Sequence, residues 1–173
     1  MDDDLAAELA TRRDEDQRVR RQVSGVVGRT GTRVPEDLAA EWERVDEANT
    51  RWLGELLATR GWPGQTLVGA AGAQAAWLLA QHADRDPGLQ QAFLDALREA
   101  VGRGEASPAH LAYLEDRVRV NADQPQLYGT QFTQQGGELA PHPIEDPERL
   151  DERRAEVGLE PFAAYEARMR DRA

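Results

Sequence analysis

Apolar positions return with a helical period along most of the chain. The clearest stretch is 36–60, where Leu38, Trp42, Val45, Asn49, Trp52 and Leu56 follow at 4-3-4-3-4 spacing and form one stripe. Asn49 interrupts that stripe with an amide. Buried, it must tie a neighbouring backbone or face a polar cavity. The helix is expected to stop at Arg60–Gly61, before the rigid turn Trp62–Pro63–Gly64. Residues 66–83 predict a second helix whose small residues, Gly69 to Ala73, allow close approach to a neighbour. Its stripe of Ala71, Ala75 and Leu78 is continued by His82. A third helix is read over 88–103 from Leu89, Phe93, Leu94, Leu97 and Val101. Ser107–Pro108 opens a fourth, with Leu111, Leu114 and Val118 on its core face. There His110, Tyr113 and Arg117 lie on a flank, and Asp116 shares an edge with Ala112 and Val120.

Elsewhere the pattern is weaker. Residues 3–22 read as a polar helix, acidic in its first turn and rich in Arg at its end, with an apolar stripe of little more than Leu5 and Leu9. Glycines 25, 28 and 31 with Pro35 predict a loop over 23–35. Residues 118–132 fit either a helix running out into loop or a short β-hairpin. Residues 133–147 read as loop. Counted from Asn121, this is roughly 25 residues with little helical signal, long enough to suggest a functional role. Short helices over 146–159 and from Pro161 close the chain. The expected fold is all-α, about six or seven helices with one long ordered loop. The expected organisation is an N-terminal helix and Gly-rich connector (1–35) followed by a helical domain (36–173).

Charge narrows the partners. All 21 basic residues are Arg, and with 32 acidic residues the net charge is −11, which argues against nucleic acid. The absence of Cys removes disulfides and thiolate chemistry. The acidic N-terminus lacks the apolar segment of a secretory signal, and the longest apolar run, residues 75–80, is too short to span a membrane. A cytoplasmic protein is expected.

Three places carry candidate chemistry. His82, with Asp84 two residues on, is a natural acid/base near neutral pH. Asp116 and Arg117 are adjacent, so they serve different partners. Asp116 would orient His82, and Arg117 would hold an anionic group through its fork of donors. Around Gly129, the groups of Tyr128, Thr130 and Gln131 suit the positioning of a polar ligand. Asn49 joins them as a substrate-binding candidate. The three His are isolated and no paired metal-ligand motif occurs, so no metal site is assigned, and the sequence leaves any cofactor unknown.

These residues recur as an ordered series: D46xxN49, G61W62P63, Q81H82A83D84, D116R117V118, Q126xY128G129T130Q131, P143xxD146P147 and R153R154xxVGL159. The series resembles an uncharacterised bacterial family, a domain of unknown function marked by His-Ala-Asp, Asp-Arg and Tyr-Gly-Thr-Gln motifs. The resemblance covers roughly residues 45–167 and leaves the N-terminal 35 residues as a private extension. It implies a common fold and shared positions at His82, Asp116, Arg117, Tyr128, Thr130 and Gln131, but no reaction.

The leading functional expectation is an acid/base site of His82, Asp116 and Arg117 with the Tyr128–Gln131 loop. It would act on a small anionic or peptide substrate by hydrolysis or lyase-type proton transfer. The alternative is a non-catalytic acidic module, of the immunity type, that occupies a basic protein partner.

Overall fold

The computed structural model describes residues 1–30, 33–135 and 138–171. Its first helix, α1 (Asp3–Thr30), opens where Asp2 Oδ1 accepts the amide of Leu5 at 3.0 Å. The start of the chain is tied down rather than frayed. Asp2 donates its own amide to Leu67 O at 2.7 Å, and its carboxylate accepts from Arg60 at 2.8 Å. The loop expected from residue 23 is instead helix as far as Thr30. Glycine in a helix costs about 1 kcal/mol relative to alanine. Here buried Val19 and Val23 pack with Val45, beneath Val34, Leu38 and Trp42, and that contact outweighs the propensity of Gly25.

Helix α2 (Glu36–Arg60) has the predicted bounds and ends on Gly61 at φ +76°. Helix α3 (Gln65–Gln81) is kinked at Gly69, whose φ of +71° favours glycine. Its small residues do bring a neighbour close: a Cβ on Gly72 would stand 3.8 Å from the Ala6 Cα of α1. Helix α4 (Pro87–Gly102) buries Phe93, Leu94, Leu97 and Ala100. The chain divides into two compact units, Met1–Ala100 and Val101–Ala173. The expected boundary at residue 35 therefore falls inside the first unit, where α1 packs on both α2 and α3.

The second unit begins with α5 (Pro108–Asn121), so residues 118–121 are helical. The hairpin foreseen near 118–132 lies further on, in the stretch expected to be loop. It consists of β1 (Phe132–Gln135) and β2 (Glu138–Pro141), antiparallel with Phe132 opposite Pro141 and Thr133 opposite Ala140. A 3-10 turn (Pro147–Arg149), α6 (Leu150–Glu156) and α7 (Phe162–Arg170) follow. Phe132 stacks on Phe162 at 6.3 Å, and Tyr165 meets Phe132 and Tyr113 edge-on at 5.8 and 6.2 Å. Among the described residues the fold is all-α, with seven α-helices and this two-stranded sheet. No helix among them is long and apolar enough to cross a membrane.

Candidate functional site

His82 stands just past the C-terminus of α3, at φ −96°, on a side chain that keeps 17% of its surface exposed. Its Nδ1 lies 2.9 and 3.0 Å from the two carboxylate oxygens of Asp16. Asp16 comes from the middle of α1 and is 1% exposed. Arg20, one turn along α1, donates through Nε to Asp16 at 3.0 Å and through its other arm to Asp46 of α2 at 2.8 Å. Gln17 donates to the second Asp16 oxygen at 2.8 Å. The contact with His82 expected of Asp116 is thus made by Asp16. The physical reason is that α3 packs against α1, which brings Asp16 onto the imidazole.

Two tryptophans of α2 back the arginines. The Arg20 guanidinium stands 5.3 Å over Trp42, and that of Arg12 stands 4.4 Å over Trp52. Arg12 also donates to Asn49 Oδ1 at 3.2 Å. This fixes the amide, so Asn49 Nδ2 points away from Arg12. That nitrogen and Gln81 Nε2 are buried donors without a partner among the described residues. No group of three His, Asp or Glu side chains among the described residues is placed to hold a metal ion.

Asp116 has a different task in the second unit. It is fully buried on α5 and accepts the amides of Leu127, Tyr128 and Thr130 at 2.7, 2.9 and 2.9 Å, and the Thr130 hydroxyl at 2.9 Å. Gln126, also buried, donates to the carbonyls of Gln131 and His142 at 3.0 and 2.9 Å and accepts the Gln131 amide at 2.8 Å. Arg154, 1% exposed, donates to the carbonyls of Tyr128 and Glu160, and Arg153 donates to that of Leu127. Gly129 must be glycine: its φ is +68°, and a Cβ there would stand 2.7 Å from Phe162 Cε2. Arg117 donates to the Gln131 side chain at 3.1 Å, and that amide donates to Thr130 Oγ1 at 3.0 Å.

The family described as "Family of unknown function (DUF6624)" matches residues 3–173. The chain belongs to that family. No curated protein and no solved structure matches it. Because the DUF6624 match reaches residue 3, the N-terminal helix is part of the family domain and not a private extension.

In this DUF6624 chain the charges of the first cluster differ in kind. Burial alone would raise the Asp16 carboxyl. The hydrogen bond from His82, with the charges of His82 and Arg20, outweighs it and holds Asp16 below the ordinary aspartate value. Burial wins at Asp46, which Arg20 contacts with one arm only, and its carboxyl is pushed up. Asp116 is also pushed up by burial, against the pull of its backbone donors. An ionised carboxylate can only accept, so His82 Nδ1 donates to it, and whenever the ring is neutral its lone pair is at Nε2. The dyad has the parts of a base and its orienter.

Of the predicted site residues, His82 and Asn49 lie in the first unit and Asp116, Arg117, Tyr128, Thr130 and Gln131 in the second. Asp116 ties Tyr128 and Thr130 together, and Arg117 reaches Gln131. Sequence reasoning missed Arg12, Asp16 and Arg20, and it quoted Asp46 and Gln81 in the motif series without giving either a role. A faint signal existed, since Arg12, Asp16 and Arg20 recur every fourth residue on α1.

Proposed function

We propose that this protein is an acid/base catalyst whose working group is His82 Nε2, with Asp16 holding the ring. The observation that carries the reading is the contact of His82 Nδ1 with both Asp16 oxygens at 2.9 and 3.0 Å. Arg20 and Gln17 fix that carboxylate from the other side, so the ring orientation is set before any substrate arrives. The buried donors Asn49 Nδ2 and Gln81 Nε2 suit the oxygen of a carbonyl or carboxylate. The substrate class is therefore a small anionic molecule or peptide, and the reaction a hydrolysis or a lyase-type proton transfer. The protein works in the bacterial cytoplasm, without nucleic acid as a partner. Asp116 and the Tyr128–Gln131 segment act as a clasp that shapes the second unit.

The test is a turnover screen of small carboxylates, phosphates and short peptides, followed by His82→Ala and Asp16→Asn on whichever substrate responds. His82→Ala leaves Asp16 paired with Arg20 and Gln17, so it should abolish turnover with little loss of thermal stability. A variant that melts early yet keeps full turnover would overturn the reading.

A further inference from the structure

A second feature of the first unit lies on a different face of α2 from the His82 cluster. A cavity of about 470 Å³ opens between α2 and the start of α4. That volume is within the range of about 300–1,000 Å³ usual for small-molecule sites. Its floor is apolar, built from Gly54, Ala58 and Leu89. Gly54 lets Leu89 close in, because a Cβ there would stand 3.1 Å from Leu89 Cδ2. Thr50 also lines the cavity. It is only 7% exposed.

The rim is electrostatically one-sided. Glu47, Glu55 and Asp86 face it together with Arg51 and Arg85. The Arg85 guanidinium is committed to Glu43, outside the cavity, at 2.6 Å. Asp86 accepts the Leu89 amide at 2.9 Å, which anchors that carboxylate at the cavity mouth. With Arg85 drawn to Glu43, three carboxylates among the described residues face the single guanidinium of Arg51, an excess of two negative charges. An anion would meet that excess. A fully hydrated inorganic cation would gain nothing from the apolar floor.

We propose that this cavity binds a small apolar organic cation, an amine or guanidinium on an alkyl or aryl body. The cationic head sits between Glu47 and Glu55 and donates to the Thr50 hydroxyl, which has lone pairs to accept it. The body covers Ala58 and Leu89, where its burial contributes the larger share of binding.

The experiment follows backbone amides of the full chain by NMR while 4-phenylbutylamine is added, with 4-phenylbutanol and 4-phenylbutyrate as its neutral and anionic counterparts. The amine should shift Thr50, Gly54 and Leu89 and bind about threefold or more tightly than the alcohol, the range expected of a half-exposed ion pair. The carboxylate should bind weakest. Glu47→Gln combined with Glu55→Gln should reduce amine binding to the level of the alcohol. Ala58→Trp, at an exposed helix position, should remove binding of all three. Absence of shifts at these amides, or a carboxylate that binds as tightly as the amine, would overturn the proposal. So would amine binding that survives Ala58→Trp, because the cation would then sit elsewhere on the acidic surface.

Discussion

Two aspartates show how one residue type takes opposite roles from its surroundings. Asp16 accepts from the side chains of His82 and Arg20, and its carboxyl is held below the ordinary range. Asp116 faces backbone amides and a hydroxyl in a fully buried setting. The pattern of Asp116 resembles a cap: one carboxylate satisfying the donors of a tight segment that has no ladder of its own. Asparagine in its place turns one acceptor into a donor aimed at other donors. Each buried amide left unpaired costs about 1–3 kcal/mol, so Asp116→Asn should lose at least about 2 kcal/mol. The three tyrosines of the chain all lie in the second unit and its four tryptophans all lie in the first. A denaturation curve read by tyrosine absorbance therefore checks it directly. An unchanged tyrosine transition would contradict the clasp.

At the scale of elements, α1 matters most. Its apolar stripe read as little more than Leu5 and Leu9, yet Leu5, Leu9, Val19 and Val23 are all buried, Leu9 and Val19 completely. The four helices from residue 36 to residue 120 were legible because each carried a full apolar face and a clear stop or start. Alternation around Tyr128 was not, since that segment is held by the side chains of Asp116, Gln126, Arg153 and Arg154 from other places in the chain. Pairing of His82 was misread for a related reason. Asp84 and Asp116 were visible as acids near helices, but the acid that reaches the ring belongs to α1, and only tertiary packing selects it. Leu9→Ala should cost about 2–4 kcal/mol, as for a fully buried leucine, and the loss should appear in the tryptophan signal. A loss below about 0.5 kcal/mol would show that α1 is dispensable packing.

For the whole molecule, three buried carboxyls whose signs differ, together with the buried imidazole of His110, shape the pH dependence of stability. Asp16 has a lowered folded value, so its contribution is complete above the ordinary 3.8 and disappears as pH falls through the folded value. Asp46 and Asp116 have raised folded values. Their contribution is complete below 3.8 and is lost as pH rises through those values. Acidification from neutrality should therefore relieve the two raised groups while the buried imidazole of His110, held below its ordinary 6.5, costs stability as it takes up a proton, and a further loss should follow below about 3.8, where Asp16 takes up its own. Asp16→Asn should lower stability at neutral pH and flatten that acid limb. Denaturant melts at a series of pH values would show it, and an acid limb unchanged by Asp16→Asn would contradict the assignment.

The central claim is that Asp16 sets His82 as a base with its lone pair at Nε2. The measurement that tests it most directly is nitrogen NMR of the His82 imidazole in the neutral form, comparing the native chain with Asp16→Asn. The account predicts a proton on Nδ1 in the native chain, with Nε2 bare, and loss of that single tautomer when Asp16 becomes asparagine. A proton on Nε2 in the native chain, or the same spectrum in both, would contradict it.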